Sequence, residues 1–191
     1  MPVEIEAKMS VEGLAATRTK VLEVGGKLLG KYLETNTFFD SEDRSLLAAD
    51  KGLRLRHKRN IDTGEEHYII TYKGPRQPGA LKSREEVELM VEGAAETVKL
   101  MECLGYRPVL SFEKRRESFA LDGCEVDLDE LPYLGTYVEV EGPSEQAVMR
   151  VRQTLGLSDR PLIKAGYVSM LSSYLQERGK NQREIKFGAP L

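Results

Sequence analysis

Charged residues recur at every second position in segments whose intervening residues are largely apolar. Glu4, Glu6 and Lys8 alternate with Ile5 and Ala7, and Arg54 and Arg56, continued by Lys58, alternate with Leu53 and Leu55. Thr71 and Lys73 form another such set. So do Lys82, Arg84, Glu86 and Glu88, which lie opposite Val87 and Leu89. Lys114 and Arg116 share a parity, Asp127 and Asp129 share another, and Glu139 and Glu141 are backed by Val138 and Val140. Alternate side chains of an extended strand point to opposite faces, so each segment presents one ionic face. Lysine and arginine grip phosphoryl oxygens through charge-assisted hydrogen bonds, and clustered carboxylates hold a hard cation. A polyphosphate carrying a divalent metal is a ligand that needs both. With no histidine or thiolate in the set, Mg²⁺ or Mn²⁺ suits these oxygens better than zinc.

A solvated face of a half-buried sheet would also read as alternating charge. Two features of the set argue against that. Short polar residues are scarce on these faces, and the signs are segregated, with Arg54, Arg56 and Lys73 central and the carboxylates on the first and last segments. A face built for solubility intersperses both signs.

The elements that must carry these faces follow from hydrophobic period. Strands are expected at Val3–Val11, Leu29–Asp40, Gly52–Arg59, His67–Lys73, Ala80–Val91, Val109–Ala120, Cys124–Glu130 and Thr136–Glu141. Turn signals at Asp62-Thr63-Gly64 and Leu121-Asp122-Gly123 make neighbours antiparallel. Helices are expected at about 13–24, 94–104, 145–155 and 165–177, the third capped by Ser144. Apolar stripes are read at Leu14, Ala15, Val21 and Leu22 in the first, at Val98, Met101 and Leu104 in the second, and at Ala147, Val148, Val151 and Leu155 in the third. The sum is an α+β chain whose eight-stranded antiparallel sheet curls into a barrel. Its charged faces then line an interior and its apolar faces pack outwards beneath helices. Residues 1–178 read as one domain and 179–191 as a loosely held polar tail.

Composition removes several classes. The 191 residues carry a net charge of −3, too little basic excess for a nucleic-acid partner. No long apolar run and no basic-then-apolar start occurs, so neither a membrane span nor a secretory signal is expected, and the location is read as cytoplasmic. The two cysteines, Cys103 and Cys124, read as small buried hydrophobes. His57 and His67, the only histidines, read as edge residues, which leaves the chemistry to carboxylates, lysines and arginines.

Glu4-Ile5-Glu6-Ala7-Lys8 resembles the ExExK signature of the CYTH superfamily, the triphosphate tunnel metalloenzymes. Further elements follow in family order. These are Thr37-Phe38-Phe39-Asp40, Leu53-Arg54-Leu55-Arg56, Thr71-Tyr72-Lys73-Gly74-Pro75, Arg84-Glu85-Glu86-Val87-Glu88, Lys114-Arg115-Arg116, Val126-Asp127-Leu128-Asp129, and Leu134-Gly135 before Val138–Glu141. The resemblance implies a tunnel that binds a small-molecule triphosphate with Mg²⁺ or Mn²⁺, in a monomer or homodimer. It implies metal binding by Glu4, Glu6, Asp127, Asp129, Glu139 and Glu141. It implies triphosphate contacts from Lys8, Arg54, Arg56, Lys73, Arg84, Lys114 and Arg116, with Lys8, Arg56 and Lys73 catalytic. Glu86 and Glu88 bind a second metal or orient the cations. Asn36 stands where the family often has Asp, Phe38 where Tyr is usual, and Lys-Ala-Gly-Tyr at Lys164–Tyr167 replaces the more usual Lys-Ser-Tyr.

Three functions fit these residues. Triphosphate hydrolysis is preferred, because the residues show a triphosphate grip and no adenine pocket. A class IV adenylyl cyclase converting ATP to cyclic AMP and pyrophosphate is the alternative. A non-catalytic polyphosphate-binding module needs only the cations and leaves the carboxylates unexplained.

Overall fold

A computed structural model describes residues 3–189, so residues 1, 2, 190 and 191 of the expected domain and tail lie outside the described residues. The elements run β1 (Val3–Val11), α1 (Ala15–Glu23), β2 (Lys27–Asp40), α2 (Ser45–Ala48), β3 (Gly52–Asn60), β4 (Glu66–Lys73), β5 (Lys82–Val91), α3 (Ala94–Cys103), β6 (Arg107–Leu121), β7 (Cys124–Leu131), β8 (Gly135–Glu141), α4 (Glu145–Thr154), α5 (Tyr167–Glu177) and β9 (Glu184–Ile185). All eight expected strands and four expected helices form. The one-turn α2 and the short β9 were not expected.

The strands pair in the order β2-β3-β4-β5-β1-β8-β7-β6, and β2 also pairs with β6, which closes the sheet. That seam runs antiparallel from Lys27 opposite Ala120 to Asp40 opposite Arg107, with register shifts near Leu28 and Phe38. Closure removes the two open edges that a flat sheet of this length would expose. It also decides which face is inside. Glu6 opposes Glu141 and Lys8 opposes Glu139 across β1 and β8. Arg54 opposes Thr71, and Thr71 opposes Glu88. The ionic parity of the strands is therefore the lining of the tunnel.

The apolar parity packs outwards. Ala7, Met9, Val126, Leu128, Val138 and Val140 form one cluster beneath Val21 of α1 and Ala147, Val148, Val151 and Leu155 of α4. Ser144 caps α4, its hydroxyl accepting the Ala147 amide at 3.2 Å. Phe39 and Leu55 pack with Met101 of α3 in a smaller cluster. The stripes of α1 and α3 are narrower than their periodicity suggested: Leu22 and Leu104 are exposed, while Thr17 and Thr97 are buried.

At one end of the tunnel the lining itself turns apolar. Phe38, Leu110, Phe112, Leu131 and Tyr137 continue the lumen-facing parity of their strands and cluster with Tyr167, Leu171 and Leu175 of α5. The i, i+4, i+8 spacing of those three residues gives α5 one apolar face, and that face stoppers the tunnel.

Two expectations are corrected here. Part of the stretch read as a loose tail is packed: β9 lies parallel to β6 at Ser111 and Phe112, and Ile185 is fully buried against α5. A single isoleucine in a polar run carries little periodic signal, and burial decides its place. Cys124 is buried as expected, but Cys103 ends α3 exposed.

Candidate active site

The closed sheet converts strand parity into a row of ion pairs around the lumen. Lys82 Nζ meets Glu6 at 2.7 Å, Glu6 meets Lys8 at 3.4 Å, and Lys8 meets Glu139 at 3.1 Å. Glu139 pairs with Arg116, which grips Asp129 through two nitrogens at 2.7 and 2.6 Å and also contacts Asp127. Lys114 joins Asp129 at 3.2 Å to Glu34 at 3.3 Å, and Glu34 reaches Arg56 at 3.3 Å. Lys73 stands apart from this row, between Glu4 at 3.4 Å and Glu86. Buried charges persist only when paired, and desolvation offsets much of what the pairs return. Such a lining is costly to build for stability alone.

Of the candidate side chains, Glu6, Lys8, Arg56, Lys114, Arg116, Asp127, Asp129 and Glu139 sit in this connected row, Glu4, Lys73 and Glu86 form a group beside it, and Arg54, Arg84, Glu88 and Glu141 lie outside both. Arg54, at the apolar end, donates to Thr71 at 2.8 Å and to Glu88 at 3.3 Å, and Glu88 is half exposed. Arg84 faces the lumen opposite Glu4 but is held at 3.5 Å by Asp50, which also binds Arg76. Thus Arg84 and Glu88 lie towards the rims.

The electrostatics separate an acidic pole from the cationic row. Glu141 is exposed at the end of β8, yet partial desolvation by the surrounding chain, then Glu4, Glu125, Asp127 and Glu6, push its carboxyl up to about 8. Burial and a hydrogen bond with Glu4 push Glu86 up to about 7. Burial opposes ionisation of Glu4, yet that same hydrogen bond together with Lys73 and Lys82 holds Glu4 well below the usual carboxylate range. The Lys73 ammonium is lowered by burial and by Arg54. Burial and Arg56 lower Arg54 to about 10. An oxygen-only acid cluster with excess negative charge fits a hard divalent cation. The Glu6 Oε1 atom, buried with no directed hydrogen bond and met only by the Lys8 ammonium at 3.4 Å, fits it as well. No three donors are preassembled around one point among the described residues, because the acids turn towards lysine and arginine.

Beside Glu141, at the end of the barrel, lies a surface cavity of about 630 Å³ whose wall includes Lys27, Leu29, Leu121, Cys124, Glu125 and Glu141.

Sequence reasoning left four contributors outside the site. Glu34, fully buried, and Asn36, whose Oδ1 accepts from Arg56 Nε at 2.9 Å, come from β2. There the outward residues Thr35 and Thr37 are themselves polar, so the strand shows no charged-apolar contrast. Parity with Phe38, which stacks on Phe112 at 5.9 Å, was the available signal. Lys82 was placed on the right face but not joined to the site. Tyr167 comes from a helix, where strand parity says nothing. His57, stacked on Tyr68, and His67 lie outside the ionic row.

Comparison with known proteins agrees with this geometry. The CYTH domain profile matches residues 2–167. The Methanocaldococcus jannaschii protein named "Putative adenylate cyclase MJ0240" is 23% identical over 177 residues, covering 88% of this chain and 98% of its own. The PH1819 protein from Pyrococcus horikoshii superimposes with a TM-score of 0.79 at 26% identity, over 90% of this chain and 99% of that one. HpAC1 from Hippeastrum, whose structure "reveals a dominant" triphosphatase activity, superimposes with a TM-score of 0.67 at 17% identity, over 94% and 97%. A profile match over most of the chain, together with a closed eight-stranded tunnel lined by both signs of charge, makes this chain a member of the CYTH family.

Proposed function

We propose that the protein is a divalent-metal-dependent enzyme that hydrolyses a triphosphate group held inside the tunnel. The reading is carried by the continuous row from Lys82 through Lys8, Arg116 and Lys114 to Arg56, whose cations are held in place by carboxylates and face one lumen. Lys8, Arg54, Arg56, Lys73, Lys82, Arg84, Lys114 and Arg116 take phosphoryl oxygens. Incoming phosphate competes with the carboxylates for these donors, so no cation has to be desolvated anew.

Glu4, Glu6 and Glu141 hold Mg²⁺ or Mn²⁺, with Asp127 and Glu139 beside them. When bound, the ion neutralises phosphoryl charge and polarises the reacting phosphorus. In this reading Asp129 orients Arg116, Lys114 and Tyr167, all three of which meet its oxygens, rather than meeting the metal directly. Glu88 orients Arg54 and Thr71 in the same way.

In hydrolysis a water oxygen attacks phosphorus in line, the bond to the departing phosphate breaks, and the water proton needs an acceptor. Glu86, at about 7, has the affinity to take that proton near neutral pH. Lys73, beside Glu86, meets the charge that develops on the phosphoryl oxygens. Fixed donors aimed at developing charge need no reorganisation in the transition state.

The name of the Methanocaldococcus relative supports a second reading, in which the ribose 3′-hydroxyl of ATP attacks the α-phosphorus and pyrophosphate leaves. The deciding experiment incubates the pure protein with Mg²⁺ or Mn²⁺ and, separately, ATP, tripolyphosphate and thiamine triphosphate. Orthophosphate is then resolved from cyclic AMP plus pyrophosphate. Orthophosphate as the main product supports hydrolysis, and cyclic AMP replaces it with the cyclase. Tight metal-free binding with no turnover on metal addition replaces both with a binding module.

A further inference from the structure

We propose that Tyr167 is a positioning residue of the triphosphate grip, so that the plug formed by α5 is part of the site as well as part of the packing. The inference rests on the tunnel acting on triphosphates.

Tyr167 opens α5 and is almost completely buried. Packing alone would be served by phenylalanine, since the ring edge meets Tyr137 at 5.4 Å and Leu171 and Leu175 complete the cluster. Two contacts ask for more. The hydroxyl donates to Asp129 Oδ2 at 3.0 Å, on the carboxylate that orients Arg116 and Lys114. The ring face lies 4.0 Å from Lys8 Nζ and 5.5 Å from Lys114 Nζ. Burial and the neighbouring Asp129 and Glu139 push the phenol well above its ordinary range, so it stays a donor at any working pH.

The same segment also holds Lys8 from behind. Lys8 Nζ donates to the Ala165 carbonyl at 3.1 Å, and the Lys8 carbonyl accepts the Ile163 amide at 2.8 Å. A free lysine swings on a four-carbon stem with many rotamers. Here the ring below and the carbonyl beside it leave Lys8 Nζ aimed at Glu6 and Glu139, the lumen side where phosphoryl oxygens arrive. Tyr167 therefore sets two things from one position: the direction of Lys8 and, through Asp129, that of the Arg116 and Lys114 pair. Both must hold before substrate enters if the donors are to act without reorganisation.

The test compares Tyr167→Phe and Tyr167→Leu with the parent as full chains. Each is assayed for Mg²⁺-dependent turnover of tripolyphosphate, calorimetric binding of tripolyphosphate, and thermal midpoint. Tyr167→Phe keeps the ring and loses the hydroxyl. It is expected to keep KM and lower kcat about tenfold, as for one lost orienting hydrogen bond. Tyr167→Leu is expected to weaken tripolyphosphate binding about tenfold as well, and Tyr167→Phe to restore that binding. Parent-like kcat and binding in both variants would overturn the proposal. So would losses in both that merely follow a fall in thermal midpoint. A parent that binds tripolyphosphate without turning it over ends the hydrolytic reading alone, and the binding arm still decides Tyr167. A parent that does neither overturns both.

Discussion

Glu34 and Lys114 face each other on the neighbouring strands β2 and β6, carboxylate to ammonium at 3.3 Å, with both side chains closed off from solvent. Neither Glu34 oxygen accepts a directed hydrogen bond, so charge alone holds the pair, with Arg56 on the other side. Burial opposes ionisation of Glu34, but Arg56 and Lys114 keep its carboxyl well below the usual range. Removing this one acid leaves two buried cations without their shared partner.

Glu34→Ala is therefore expected to lower unfolding free energy by about 3–5 kcal/mol, the cost of breaking a buried ion pair from one side. Chemical denaturation at neutral pH measures it. Because the folded pKa of Glu34 is depressed, its stabilisation is present above about 4.5 and fades as pH falls below it. The gap between parent and variant should narrow in acid, and a gap that widens there would contradict the pairing.

Lys73→Ala and Arg56→Ala are each expected to lower turnover of a triphosphate by about two to three orders of magnitude, as for loss of one preorganised donor. Both side chains face the lumen, Lys73 beside Glu4 and Glu86 and Arg56 beside Asn36. Steady-state release of orthophosphate checks it, and unchanged kcat in both variants removes them from the site.

Stability without divalent ions should depend on pH with the opposite sign at the acidic pole. The folded pKa of Glu141 is raised from 4.5 to about 8 and that of Glu86 to about 7, so the folded state binds more protons than the unfolded chain between those limits. Unfolding free energy is then expected to fall as pH rises from about 5 to 8. Added Mg²⁺ should stabilise more at pH 8 than at pH 6, because protons and metal compete for the same carboxylates. Thermal midpoints with and without Mg²⁺ at the two pH values test this, and Glu141→Gln should weaken both dependences.

Ser144→Ala removes the hydroxyl that accepts the Ala147 amide at the start of α4. A loss of about 1 kcal/mol is expected. Because Ala147 and Val148 pack on the outside of the barrel rather than in its lumen, kcat should stay at the parent value. A denaturant midpoint measured beside an activity assay separates the two.

Two-residue alternation in Glu4–Lys8, Leu53–Arg56 and Val138–Glu141 by itself determined that these segments are strands and which side chains share a face. It also indicated that these faces must meet opposite charge, because buried cations and carboxylates at these densities are stable only when paired or bound. Parity is a local property of an extended backbone, so it survives being read one segment at a time. The seam between β2 and β6 is not local. Until Glu34 stands opposite Lys114, nothing in Leu33-Glu34-Thr35 separates that acid from a solvated one. Tyr167 and Ile185 likewise gain their places only because α5 and β9 dock on the closed barrel. Which ionic groups meet across the lumen depends on register summed around eight strands, and only the folded chain performs that sum.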